Sequence, residues 1–194
     1  IKSNNEINDN IWLREDNRGI ELDGKTIGII GYGKTGKSFA KKLSGFNVEI
    51  LCNDIVKNKG DKYSKQVSLD LIKSNCDVIS LHTDLNKSSN YLINKLFIDD
   101  CEKSFFLINT SRGQCVKNSD LVDGLRSGKI LGACLDVIEN ECSSFENLKD
   151  DGNLDFLKKS KKVILTPHIA GWTFESKIKL SKTILEKIKS LFNK

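Results

Sequence analysis

Short apolar runs of strand length alternate with segments of helical period along most of this chain, and no other feature constrains the fold as much. The pattern predicts strands over 25–30, 47–52, 77–81, 105–109, 131–137 and 163–165, each rich in Val, Ile and Leu. Helices are expected over 34–43, with Phe39, Ala40 and Leu43 on the apolar face, and near 68–74, 94–99 and 119–127. The last of these opens at a cap on Asn118 or Ser119 and closes at Gly128. Strands that lack two-residue alternation and are separated by helices call for a parallel sheet covered on both faces. The expected fold class is therefore α/β, a doubly wound parallel sheet.

Gly31-Tyr32-Gly33-Lys34-Thr35-Gly36 falls between the first strand and the first helix. In that setting the first glycine permits a tight turn, the second lets the backbone approach a pyrophosphate, and the third lets helix and strand pack closely. The amides at the helix start then point at the anion. Asp54 ends the second strand, 18 residues past Gly36, where an acid binds the hydroxyls of an adenosine ribose. Together these features predict a Rossmann-type dinucleotide site, with a purely structural glycine turn as the alternative. Asp54 repels a 2′-phosphate and no arginine follows it nearby, so NAD is expected rather than NADP.

Hydride transfer to or from a hydroxyl-bearing carbon needs a group that can move a proton near neutral pH, and only His82 and His168 qualify by intrinsic pKa. His168 follows Pro167, the single proline of the chain, which ends a strand and directs what comes next. Such a side chain belongs at the carboxyl edge of a parallel sheet, where ligands bind. His82 also ends a strand, and position alone does not choose between the two. Arg112, in Asn109-Thr110-Ser111-Arg112-Gly113, is a third strand-end candidate. Its planar fork grips a carboxylate through two parallel hydrogen bonds, which lysine cannot copy.

These residues resemble a family. The glycine run, Asp54, the 109–113 run, Leu135-Asp136-Val137 followed by Glu141, and Thr166-Pro167-His168 stand in the order and spacing of the D-isomer-specific 2-hydroxyacid dehydrogenases, over roughly residues 12–180. The resemblance implies that Arg112 orients a 2-oxo acid, that His168 is the acid/base and that Glu141 pairs with it. A carboxylate beside an imidazole favours the imidazolium, so the proton is available for carbonyl reduction. By the same resemblance Asp136 holds the nicotinamide carboxamide. Tyr32, Lys34, Thr35, His82, Thr83, Thr110, Ser111, Arg112, His168 and Gly171 line the cofactor site with Gly31, Gly33, Gly36 and Asp54, and His82 does no chemistry. Three positions depart from the usual pattern: Cys142 replaces a proline after the acid, Asp84 a proline near the adenosine, and Trp172 a small residue. The region of Trp12 and the run Ala170-Gly171-Trp172 look most like phosphoglycerate-dehydrogenase-like members, which puts D-3-phosphoglycerate among the candidate substrates.

In this family the cofactor domain is inserted within a second domain, on the order of 100 residues by usual domain sizes, which supplies amides for the substrate carboxylate. Nothing in the sequence corresponds to it. With no methionine in 194 residues, the chain is expected to be a cut piece with something upstream. The expected organisation is an incoming helix end or linker over 1–20 anchored by Trp12, a single NAD-binding Rossmann domain over 21–172, and an exit helix over 173–194 towards the missing substrate domain. That helix carries Ile178, Leu180, Ile184, Leu185, Ile188 and Leu191 at amphipathic spacing. Alone, the piece is expected to bind NAD and turn over little.

Composition narrows the remaining classes. No run approaches the 18 or so apolar residues of a membrane span, and the first twenty residues are polar, so no membrane partner is expected. The net charge is +5, but of 31 basic residues only Arg14, Arg18, Arg112 and Arg126 are arginines. The densest basic run, 158–162, has no interleaved aromatic, so no nucleic-acid partner is expected either. The six cysteines lack C-x-x-C spacing and several sit in apolar runs, which reads as reduced, mostly buried thiols in the cytoplasm, with no metal site. A homodimer acting on a small 2-hydroxy or 2-oxo acid is the expectation. An NAD-sensing transcriptional corepressor of the same family is the alternative, and a basic nucleic-acid module the third reading.

Overall fold

In the computed structural model, which describes residues 2–139, 141 and 152–192, the chain builds outward from β1 (Thr26–Ile30). Four of its five residues are buried, as a central strand of a sheet requires. Gly31 turns the chain at φ +90° into α2 (Lys34–Leu43), and β2 (Glu49–Asn53) returns parallel to β1 with Ile29 opposite Cys52. A two-residue edge strand, β3 (Lys65–Gln66), and α3 (Leu69–Asn75) follow. The side chain of Ser68 caps α3, accepting the N–H of Leu71 at 3.3 Å. The chain then crosses to the other side of β1 and forms β4 (Val78–Leu81), with Ile29 opposite Ser80.

From there every step goes the same way: α4 (Lys95–Asp100), β5 (Phe105–Asn109), α5 (Asn118–Ser127), β6 (Ile130–Leu135), α6 (Asn153–Lys159) and β7 (Val163–Leu165). The sheet is fully parallel in the order β3-β2-β1-β4-β5-β6-β7, so the order reverses between β1 and β4. Loops at the carboxyl ends of these two strands diverge and leave a crevice. The architecture is the doubly wound Rossmann arrangement expected from the sequence.

Two cores hold it together. Ile27, Ile29, Tyr32, Ala40, Leu43, Ile50 and Cys52 fill the α2 side. The larger core, on the other side, joins Ile72, Ile79, Phe105, Leu107, Leu121, Leu125, Ile130, Leu154 and Leu157, and so contains residues of α3, α5 and α6 together. Cover on both faces therefore holds around β1 and β2 but not beyond β5. Crossovers that all step in one direction with a right-handed turn must all lie on one face. On the opposite face Leu131, Cys134 and Ile164 are exposed.

Other differences are local. The expected cap of α5 on Asn118 or Ser119 is not made; Lys117 takes the cap position and the carboxylate of Glu139, 21 residues on, accepts the N–H of Asn118 at 2.9 Å. Gly128 does close α5, at φ +78°. Strand 131–137 ends earlier, at Leu135, and β3 and α6 were not anticipated. Lys65-Gln66 is too short and polar to announce a strand. Trp12 anchors nothing: it is 83% exposed, and α1 (Lys2–Asn8) is tied to the following turn instead by Asn17, which bonds Ser3 and Glu6. The amphipathic helix expected over 173–194 is α7 (Phe174–Phe192), none of whose described residues is buried. Among the described residues no helix is long and apolar enough to cross a membrane. Four of the five described cysteines are buried and all five are free; Cys142 lies outside the described residues.

Candidate active site

The candidate site residues stand at the carboxyl edge of the sheet, on its loops and on the first turn of α2, in two groups. The first surrounds the crevice between β1 and β4, a cleft of about 330 Å³ lined by Gly31, Gly33, Asp54, His82, Thr83 and Asp84 among others. Gly31 is held there by its neighbour strand: a Cβ would lie 2.6 Å from the carbonyl oxygen of His82. A Cβ on Gly36 would run into the Gly31 carbonyl, so helix and loop can pack this closely only without side chains. Gly33, at the α2 cap, has open space where a Cβ would be. That space, in front of the unbonded amides of a ten-residue helix, fits a pyrophosphate.

The remaining members of this group divide between cleft and core. Asp54 accepts the N–H of Tyr32 at 2.7 Å and that of Val56 at 2.9 Å, which fixes its carboxylate at the rim. The Tyr32 ring, in contrast, is fully buried with its hydroxyl donating to Asp61 at 2.8 Å, and burial raises its pKa well above the usual phenol range. Only its backbone reaches the loop. Lys34 and Thr35 are exposed on the first turn of α2. His82 Nε2 lies 3.0 Å from Ser80 Oγ and its ring leans on Phe39 with centroids 5.1 Å apart. Burial lowers its pKa to about 4, so it lines the cleft as a neutral ring.

The second group occupies the ends of β5, β6 and β7. Asn109, fully buried at the end of β5, accepts the N–H and hydroxyl of Ser111 at 3.0 and 2.8 Å and donates to the Arg112 carbonyl at 3.0 Å. It thereby shapes the turn that presents Arg112, whose side chain is exposed and donates to the Ser111 carbonyl at 2.6 Å. Thr110 and Gly171 are exposed on the same edge. Beyond β7, His168 adopts φ +54°, its N–H donates to the Asp136 carbonyl at 2.8 Å, and its Nδ1 lies 2.9 Å from Glu141 Oε2. The other Glu141 oxygen accepts the N–H of Ile138 at 2.9 Å. Arg112 and His168 each stand three residues past the ends of β5 and β7, the two strands that flank β6.

Sequence reasoning did not find Glu139 and Tyr91, and it gave Asn109, the first residue of the 109–113 run, no role of its own. Asn109 announces itself only as a polar residue closing an otherwise apolar strand. Glu139 caps α5 and accepts the Tyr91 hydroxyl at 2.6 Å, tying the stretch before Glu141 to two distant parts of the chain. Tyr91, at φ +49°, carries no local signal at all. Asp136, assigned to the carboxamide by resemblance, also bonds the loop that carries His168.

A glycine-loop crevice at the reversal of strand order, flanked by a carboxylate-paired imidazole and an arginine, defines a dinucleotide-binding domain. The sequence profile of the D-isomer specific 2-hydroxyacid dehydrogenase NAD binding domain matches residues 1–170, and the chain belongs to that family. It is 42% identical over 163 residues to an erythronate-4-phosphate dehydrogenase of Wigglesworthia glossinidia brevipalpis, covering 80% of this chain and 39% of the relative. A hydroxypyruvate reductase of Thermotoga maritima is 33% identical over 177 residues, 91% of this chain and 56% of the relative. Among solved structures, D-lactate dehydrogenase from Aquifex aeolicus, complexed with NAD and lactic acid, superposes with a TM-score of 0.83 at 30% identity, covering 99% of this chain and 61% of that one. The chain spans about half the length of the curated relatives it matches. NAD is the cofactor of this domain.

Proposed function

We propose that the protein carrying this chain is an NAD-dependent oxidoreductase that interconverts a small D-2-hydroxy acid and the corresponding 2-oxo acid. The observation that carries the reading is the 2.9 Å contact between His168 Nδ1 and Glu141 Oε2 at the carboxyl edge of the sheet. NAD supplies the hydride acceptor or donor. His168 moves the hydroxyl proton through Nε2, while Glu141 keeps Nδ1 protonated and stabilises the imidazolium that exists once the ring has taken that proton. Arg112 pairs with the substrate carboxylate and carbonyl, setting the reacting carbon between the nicotinamide and the imidazole. Gly31, Gly33 and Gly36 give the pyrophosphate its backbone seat, and Asp54 takes the ribose hydroxyls; Thr83, Thr110, Ser111 and Gly171 complete the cofactor wall.

In the full-length protein His168→Ala is expected to lower kcat by about 10²–10⁴-fold, the usual contribution of a positioned acid/base, while NAD still binds. Turnover that survives the substitution would sink the assignment. D-3-phosphoglycerate is one member of the substrate panel; 3-phosphohydroxypyruvate, hydroxypyruvate, glyoxylate and pyruvate, offered with NADH, separate phosphorylated from unphosphorylated acids. The reading includes a homodimer, checked by sedimentation, and a cytoplasmic location, which the free and mostly buried thiols support.

A further inference from the structure

His168 holds a backbone conformation that residues with a side chain rarely adopt, φ +54°. Such a residue stays put only where its surroundings over-determine it. Here four hydrogen bonds of the loop go to one residue just past the end of β6. Asp136 Oδ1 accepts the Thr166 hydroxyl at 2.6 Å and the Ile169 N–H at 2.8 Å, Oδ2 accepts the Ala170 N–H at 2.8 Å, and the Asp136 carbonyl accepts the N–H of His168 itself at 2.8 Å. The acceptors are fixed in turn. Asp136 is only 5% exposed, and its N–H donates to the Asn109 carbonyl at 2.9 Å, continuing the ladder from β5.

We infer that Asp136 is a positioning residue for His168. It clamps the loop 166–170 in the left-handed bend that sets Nδ1 against Glu141, and does so whether or not a dinucleotide is bound. The inference rests on the reading of His168 as the acid/base. It differs from the carboxamide contact that the family resemblance gives to Asp136. A carboxylate has about four acceptor sites and the loop takes three, so one group can do both tasks, but only the clamp acts in the unliganded protein. The neutral amide of Asn is a poor substitute, because its NH₂ must face at least one of the N–H or O–H donors of the loop.

The test is made without cofactor. In the full-length protein labelled with ¹⁵N at histidine, the His168 and His82 signals are assigned by comparison with His168→Gln and His82→Gln, and His82 reports whether the domain is folded. Expected for Asp136→Asn is loss of the hydrogen-bonded Nδ1–H signal of His168 with the His82 signals unmoved. Thr166→Val is expected to weaken the same signal, and Thr166→Ser to keep it. If Asp136→Asn retains the His168 signal while weakening NAD binding, Asp136 serves the cofactor alone and the inference is overturned. Should Asp136→Asn also lose the His82 signals through unfolding, the Thr166 pair decides, and equal spectra for Val and Ser overturn it. Failure of the underlying function is seen separately, as turnover that persists in His168→Ala.

Discussion

The two loops that face each other across the carboxyl edge are built on opposite principles. The loop after β1 is made of backbone: Gly31 and Gly36 matter for the side chains they lack, and the anion seat is a row of amides at the start of α2. The loop after β7 is made of side chains: a strained His168 is held by the carboxylates of Asp136 and Glu141. One site can be spoiled by adding a methyl group. The other is spoiled by removing a charge while leaving the shape intact.

Gly31→Ala is the largest test of that contrast. The φ of +90° costs a residue with a Cβ roughly 1–2 kcal/mol, and a contact of 2.6 Å to the His82 carbonyl adds overpacking of about 1–3 kcal/mol. The variant is expected to lose several degrees in Tm and more than tenfold in NAD affinity, measured by calorimetry. Wild-type stability and affinity would show that the loop tolerates a side chain and that the contrast is wrong.

His82 tests the same side by pH. Its pKa is about 4 in the folded chain and about 6.5 when unfolded. As pH falls below 6.5 the unfolded state takes up a proton that the folded ring refuses until about pH 4, so stability declines through that window, by up to about 3 kcal/mol. In urea titrations at pH 7 and pH 4.5, His82→Gln is expected to lose less stability between the two than the wild type does. An identical loss in both would place the acid sensitivity elsewhere.

This asymmetry also decides what could be read from the sequence. A backbone site leaves a mark, because glycine is the residue it demands; Gly31-x-Gly33-x-x-Gly36 with Asp54 behind it predicted the crevice, while apolar patterning predicted the bounds of α2 and β5. A side-chain site leaves no local mark. Asp136 and Glu141 follow β6 while His168 follows β7, and it was family resemblance that linked them. Glu139 and Tyr91, 48 positions apart, meet only in the folded chain. Trp12 shows the converse: a large aromatic predicts an anchor, yet no part of this domain covers it.

Glu141→Gln attacks the second loop without changing its shape. The amide oxygen still accepts the Ile138 N–H, but the charge facing His168 is gone. In the full-length protein kcat is expected to fall about tenfold, equivalent to about 1.4 kcal/mol of barrier, with KM for NADH within twofold. A change in NADH binding with kcat intact would mean the two loops are not separable.

Tyr91→Phe gives the smallest effect and asks how far the side-chain site extends. Its hydroxyl donates to Glu139 Oε1 at 2.6 Å while Oε2 of the same carboxylate caps α5 through Asn118. Removing the hydroxyl leaves the cap and the ring, so the cost is one hydrogen bond to a charged group, about 1–2 kcal/mol in urea denaturation. Glu139 stands two residues before Glu141, and the Ile138 backbone between Gly113 and that acid has no room to shift towards Gly113. If the scaffold is stiff, kcat stays within twofold and the catalytic loop ends at Glu141. If Tyr91→Phe slows turnover as much as Glu141→Gln does, the position of the acid is set as far away as the loop before α4, and the side-chain site is a network rather than a pair.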